Sequence, residues 1–339
     1  VKNNLLVTLA DENFVDQAKQ LFSSVYYNAG WKGDYMLLAY KIPDKDLEWF
    51  FNKGILVKKC EPIFKDNELQ KLCDNSPEDR SDEWPNIASS KFYLFTPEFK
   101  KWQNIIFLDA DIIVRAPLDE LTKVKGFSAS YNRDFRLNTE FSEKHQITTK
   151  DQQALYQKLK NSFNLKEKAF NSGVMAFNTK IIQEDTFSKL NSLFLLYSPI
   201  NFIGDQPTFN LFFYKKWQHL PRVYNVRARK THIKKDLSKI NGIILHMMSA
   251  DGTDKPWFPE NYYYAEWKNN LKKAENIDIS KPTASIKAWS KIKIWVHIFF
   301  ICGDNFLFNI YYKVDRTLGT IGLFLKKYFP KIYFYLKSH

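Results

Sequence analysis

Cysteine is scarce in this chain: Cys60, Cys73 and Cys302 are odd in number and widely spaced, which excludes a disulfide framework and a paired-thiol metal motif. Reduced thiols in a cytoplasmic setting are the expectation. No Asn-x-Ser/Thr acceptor occurs, which argues against a glycosylated secretory protein. The run Leu5 to Leu9 is followed by Asp11 and Glu12 with no small-residue cleavage site, so it reads as a first strand and not as a signal peptide. Nor does any stretch reach the roughly 18 uninterrupted apolar residues of a membrane span. Lys293, His297 and Asp304 break one candidate, and Lys326 with Lys327 breaks the other. Internal repeats and low-complexity tracts are missing too. What remains is 339 residues, 45% of them hydrophobic, enough for one large core or a domain with an appendage.

The net charge of +13 raises nucleic acid and anionic membranes as partners. Its location separates them. From Lys281 onward ten cations face only Asp304 and Asp315, a balance of +8 that leaves +5 for everything before. The body is therefore mildly basic and the charge belongs mainly to the tail.

Ile105 to Leu108 is a short apolar run that stops on Asp109 and Asp111 before Ile112 to Val114 resumes. This pattern predicts a strand buried on both faces of a parallel sheet, with two acids at its carboxyl end. Ligands bind at that edge in open α/β sheets. Carboxylates are hard donors suited to Mg²⁺ or Mn²⁺, ions that usually accompany phosphates. A solvated turn after a strand would look the same.

Around this strand the chain alternates strands and helices, the signature of βαβ units and a largely parallel sheet. Helical spacing predicts a helix over Asp11 to Tyr27 with Asp11 as N-cap, and others from Asp44, over Ala88 to Phe95, over Lys150 to Leu159 and over Tyr262 to Lys273. Strands are expected at Tyr35 to Tyr40, Ile55 to Val57, Phe127 to Tyr131, Phe170 to Asn178 and Gly242 to His246. The polar stretches Lys65 to Pro85 and Arg133 to Thr149 read as loop and turn. Ser172 and Gly173 suit a close backbone approach to a ligand or another chain, and equally a β-bulge. Asp205 suits a helix N-cap, and His246 suits either a core histidine or a ligand.

Four blocks in order, D-A-D at 109 to 111, F-N-S-G-V at 170 to 174, G-D-Q at 204 to 206 and H-x5-G-x2-K-P-W at 246 to 257, resemble glycosyltransferase family 8, which includes glycogenin and bacterial lipopolysaccharide galactosyl- and glucosyltransferases. The resemblance covers roughly residues 4 to 258. It implies an α/β, A-type nucleotide-sugar transferase fold with a Rossmann-like mixed sheet, and a retaining hexosyltransferase that uses a UDP-sugar and Mn²⁺ or Mg²⁺. By position it implies Asp109, Asp111 and His246 as metal ligands, and Lys255 with the backbone of Gly252 as contacts to the leaving diphosphate. It further implies Thr8, Leu9 and Ala10 as the uracil edge, Lys91 and Ala110 at the donor, and Asp134, Asn171, Ser172, Asp205 and Gln206 around the donor sugar. Phe14 stands where glycogenin-like members place a tyrosine on the base; it can stack but lacks the hydroxyl. Gln206 and Asp205 are the implied catalytic pair: same-face attack with both positioning, or a covalent route through Asp205.

The domain expectation is a transferase domain over 1–258, a helix and linker over 259–285, and an amphipathic tail over 286–339. In the tail, aromatics from Trp289 to Tyr335 interleave with lysines, as in helices that lie in the interface of an anionic membrane; a helical lid on the domain would show the same pattern. The expected acceptor is a glycan or a lipid-linked sugar, and the expected location is the cytoplasmic face of a membrane, peripherally bound. A nucleic-acid-binding protein is the competing class, but no recognition motif accompanies the charge, so no nucleic acid partner is expected. A non-catalytic sugar-nucleotide-binding protein is the third class, and Asp109, Asp111, His246 and Lys255 argue against it.

Overall fold

The computed structural model describes residues 2–74, 82–141, 147–201, 203–227, 242–247, 255–281 and 286–303. In chain order the strands are β1 (Lys2–Ala10), β2 (Asp34–Tyr40), β3 (Leu56–Cys60), β4 (Trp102–Leu108), β5 (Ile112–Val114), β6 (Phe127–Arg136), β7 (Lys168–Asn178), β8 (Trp217–His219), β9 (Val226–Arg227) and β10 (Ile244–His246). The helices are α1 (Val15–Ala29), α2 (Asp44–Asn52), α3 (Asp66–Asp74), α4 (Trp84–Ser89), α5 (Leu137–Glu140), α6 (Lys150–Ser162), α7 (Thr186–Tyr197), α8 (Asp205–Phe212) and α9 (Tyr264–Ala274).

The main sheet has the order β3-β2-β1-β4-β7-β6-β8, and a second, smaller sheet has the order β5-β10-β9. Leu5, Leu6 and Val7 of β1 and Ile105 to Leu108 of β4 expose no surface, the two-sided burial that continuous apolar runs demand. Strand order reverses between β1 and β4: the chain steps outward through β2 to β3, then returns to β4 on the other flank of β1. Such a switch point opens a crevice at the carboxyl ends of the two strands. Helix α1 covers this region with Ala18, Leu21, Phe22 and Val25 on its buried stripe and stops at Gly30, whose φ of 60° is a left-handed cap. Below the sheet lies an aromatic core in which Phe127 stacks on Phe213 at 3.8 Å and Phe95 on Phe177 at 4.7 Å. Each such ring contributes about 1.5–3 kcal/mol by leaving water.

The sheet is mixed, as the resemblance implies, and four of its six strand pairs are parallel; the antiparallel ones are β4 with β7 and β7 with β6. Two-sided burial dictates apolar runs whatever the strand direction, so composition did not carry this. Lys65 to Pro85, predicted as loop, contains α3 and the start of α4, because Leu69 and Leu72 supply an apolar face under a polar surface. The helix predicted over Ala88 to Phe95 starts earlier, at Trp84 with Pro85 in its first turn, and tightens to a 3-10 helix over Ser90–Phe95. Within Arg133 to Thr149, β6 continues to Arg136 and α5 follows. Asp205 is the first residue of α8 and not its cap; Gly204 caps, with φ 100°.

The chain falls into two compact units. The first comprises residues up to 228 and 242–289; of the second, residues 290–303 are described, helical over 291–303. Among the described residues no helix is long and apolar enough to cross a membrane.

Candidate active site

The pairing of β1 with β4 runs to Val7↔Phe107, while Thr8 to Ala10 continue as strand paired with β2, so the end of β1 and Asp109 diverge at the switch point. Beyond Asp109 the chain crosses to the smaller sheet, where β5 pairs antiparallel with β10 and Ile112 faces His246. One residue before that pair stands Asp111. Two strands from different sheets thereby bring three ligand-type side chains together: one donor atom each from Asp109, Asp111 and His246 lies within 4.8 Å of the others. His246 Nε2 is 3.1 Å from Asp111 Oδ1 and 3.7 Å from Asp109 Oδ2. An octahedral ion held at about 2.1 Å places neighbouring donors roughly 3 Å apart, so the cluster fits one divalent cation with sites left over for oxygens of a ligand. Carboxylate with imidazole is a donor set suited to Mn²⁺ or Mg²⁺.

Two lysines border the cluster. Lys255 Nζ donates to Asp111 Oδ2 at 2.5 Å and to the Met247 carbonyl at 3.0 Å. Lys91, buried, bridges Asp109 Oδ1 at 2.9 Å and Asp205 Oδ2 at 3.1 Å. Burial alone would push the Lys91 ammonium down, but Asp109 and Asp205 hold it above its ordinary value. Burial would raise Asp111, and the neighbouring His246 and Lys255 hold it below the usual carboxylate range instead. Burial pushes Asp205 up, with Lys91 offsetting only part of the effect.

Beneath the acids, Gln206 Oε1 accepts from Asn171 Nδ2 at 2.8 Å and from the Ser172 amide at 3.2 Å, while its Nε2 donates to both Glu140 oxygens at 2.9 Å. Glu140 exposes no surface, and burial pushes its carboxyl up to about 8. Either protonation state leaves it an oxygen that accepts. Asn225 closes the circle, donating from Nδ2 to Asn171 Oδ1 at 2.9 Å with its own Oδ1 3.0 Å from His246 Nδ1.

Of the residues predicted from sequence, Asp109, Asp111, His246, Lys91, Lys255, Asn171, Ser172, Asp205 and Gln206 form this single connected cluster. Ala110 is buried between the two acids. Thr8 is fully buried, Leu9 half-buried and Ala10 buried at the β1 end. Phe14 lies in the turn after β1, its ring 5.6 Å from that of Trp257 in an edge-to-face contact. Gly252 and the side chain of Asp134 lie outside the described residues. Sequence reading missed Glu140 and Asn225. Neither sits in a recognisable motif, and both are placed by long-range packing alone.

The family model of glycosyl transferase family 8 matches residues 5–261. Among solved structures, the chain is similar to the galactosyltransferase LgtC in complex with donor and acceptor sugar analogs (15% identity, 83% of this chain and 97% of that one, TM-score 0.54). It is similar also to the glycosyltransferase GlyE of Streptococcus pneumoniae TIGR4 (18% identity, 85% and 67%, TM-score 0.54) and to the bifunctional glycosyltransferase WbbM (18% identity, 80% and 50%, TM-score 0.51). The chain thus spans half the length of WbbM. At these identities the structural likeness concerns the fold. No curated protein matches the sequence significantly. The fold is the A-type fold of the nucleotide-sugar transferases. With most of its length matched, the chain belongs to glycosyl transferase family 8.

Proposed function

We propose that this protein is a retaining hexosyltransferase that moves glucose or galactose from a UDP-sugar to a glycan or lipid-linked acceptor, with Mn²⁺ or Mg²⁺ at Asp109, Asp111 and His246, and that its transferase domain spans residues 1–258. The observation that carries this reading is the convergence of those three residues with Lys255 and the Lys91–Asp205 pair in one cluster beyond the end of β4. When bound, the divalent ion supplies a positive charge against which diphosphate oxygens are stabilised. Lys255 neutralises leaving-group charge more in the transition state than in the ground state, which is the condition for accelerating the step. Gln206 has both ends of its amide engaged, and Asp205 is held by Lys91. A neutral amide is a poor nucleophile, which favours same-face attack by the acceptor hydroxyl; a covalent route would run through Asp205. In this reading Thr8 to Ala10, at the end of β1, and Phe14, whose ring touches that of Trp257, receive the base.

The direct test is a screen of UDP-sugars for metal-dependent hydrolysis and transfer. Tight UDP binding with no turnover of any donor would move the protein to the non-catalytic alternative. Lys255→Met is expected to lower kcat about 10²-fold while changing the donor KM only a few-fold; an unchanged kcat would make Lys255 structural.

We assign the region beyond 286 to peripheral docking on an anionic membrane, bringing a lipid-linked acceptor within reach. Over 291–303 the helix exposes Ile292 (77%), Trp295 (66%), Phe299 (64%) and Phe300 (52%) at helical spacing, with Lys291 and Lys293 also exposed. Each lysine near such a surface contributes about 1 kcal/mol. The double variant Trp295→Ser, Phe299→Ser is expected to lose at least tenfold in binding to phosphatidylserine-containing liposomes while hydrolysing soluble donor normally. Wild-type protein that ignores these liposomes at physiological salt would end the membrane reading.

A further inference from the structure

The polar groups under the site form one continuous chain from Glu140 through Gln206, Asn171 and Asn225 to His246. Its direction is set by two donors that cannot reverse. The Gly173 backbone N–H donates to Asn171 Oδ1 at 3.1 Å, and the Ser172 backbone N–H donates to Gln206 Oε1 at 3.2 Å. Asn171 Oδ1 is therefore an acceptor, so the atom of Asn225 that faces it, 2.9 Å away, must be the amide nitrogen. Asn225 then presents Oδ1 to His246 Nδ1, and a carbonyl oxygen can only accept, so Nδ1 carries the proton. On a neutral ring that leaves the lone pair on Nε2, the atom that faces Asp111 Oδ1 and Asp109 Oδ2. The far end agrees: with Oε1 of Gln206 committed, its Nε2 needs an acceptor, and the buried Glu140 supplies two oxygens at 2.9 Å.

We propose that Asn225, braced through Asn171 and Gln206 by Glu140, is a positioning residue that fixes His246 as the Nδ1–H tautomer with Nε2 directed at the two carboxylates. It touches no reacting atom; it acts through the imidazole, whose ligating nitrogen is decided by the hydrogen bond that the other nitrogen makes. The inference builds on the metal reading above, and its test separates the two.

Mn²⁺ is titrated calorimetrically into the 339-residue protein without donor, and nitrogen-15 imidazole spectra of the metal-free protein are recorded, with His246 assigned by the loss of its signals in His246→Gln. The wild type is expected to show His246 protonated on Nδ1. Asn225→Ala is expected to bind Mn²⁺ 10- to 100-fold more weakly, as loss of an outer partner of a ligating histidine does, and to show both tautomers. Glu140→Ala, which removes the far brace, is expected to weaken binding several-fold; Glu140→Gln, which keeps an accepting oxygen for Gln206 Nε2, is expected to restore it to within about twofold of wild type. This second pair decides the matter should Asn225→Ala fail to fold. A wild-type His246 that lacks the proton on Nδ1, or Mn²⁺ affinity in Asn225→Ala and Glu140→Ala within twofold of wild type, would overturn the proposal. A wild type that binds no divalent ion would end the metal reading, and the tautomer measured in the same samples would still decide the role of Asn225.

Discussion

Replacing Asp111 with Asn is expected to lower kcat/KM by at least about 10³-fold and to weaken Mn²⁺-dependent UDP binding, with the fold retained. Asp111 does two jobs at once: Oδ1 stands 3.1 Å from His246 Nε2 on the side proposed for the ion, and Oδ2 accepts from Lys255 at 2.5 Å. An amide of the same shape removes the charge that both partners use, and presents N–H hydrogens to a lysine or to the ion. Loss of a single well-placed electrostatic contact costs about 10²–10³ in rate, and here the ion and Lys255 are both disturbed. Excess EDTA should reproduce the loss in the wild type, with activity restored by adding Mn²⁺. Full transfer in EDTA, or wild-type kinetics in Asp111→Asn, would remove the metal from the mechanism.

The parts of this site that were readable in the sequence are those tied to local pattern. Asp109 and Asp111 stood out because a short apolar run that stops on two acids reads as the carboxyl end of a buried strand, and the strand Gly242 to His246 drew attention to His246 in the same way. Neither observation alone says that the two edges meet. That is settled by the antiparallel pairing of Ile112 with His246 in the smaller sheet, and strand pairing across more than a hundred residues leaves no mark on either segment. Glu140 was hidden for a different reason. It lies in the one-turn helix α5 within a polar stretch, where an acid reads as solvated surface; only the tertiary fold buries it against Gln206. Asn225 sits between two short elements in a stretch with no periodicity, and its partners, Asn171 and His246, are 54 and 21 residues away. Strand direction was likewise silent, since β4 would need the same apolar residues beside a parallel or an antiparallel β7.

Gly173→Ala is expected to lower activity by about two to three orders of magnitude, approaching the loss of a ligand, through a single methyl group. Gly173 lies in β7, where its carbonyl accepts the Asp109 amide at 2.9 Å and its own N–H reaches Asn171 Oδ1 at 3.1 Å. A Cβ at this position would overlap His246 Cε1 and stand 2.6 Å from Asp109 Oδ2 and 3.0 Å from Asn171 Oδ1. None of the three can simply swing aside: His246 is held by Asn225, Asp109 by Lys91 and Asn171 by Gln206. The choice is between strand displacement and loss of ligand geometry. Overpacking of this kind typically costs about 1–3 kcal/mol, a load that a domain of this size tolerates, so the variant should fold with a lowered Tm. Mn²⁺ affinity should fall at least about tenfold and kcat/KM about 10²–10³-fold, because misplacement of catalytic groups by an ångström costs on the order of 10² in rate. Gly126→Ala is the control: an added Cβ there meets no atom within 4 Å, and it should leave affinity, kinetics and Tm close to wild type. Wild-type Mn²⁺ affinity in Gly173→Ala would show that His246 and Asp109 do not hold the ion in the arrangement described, whatever the variant does to the rate.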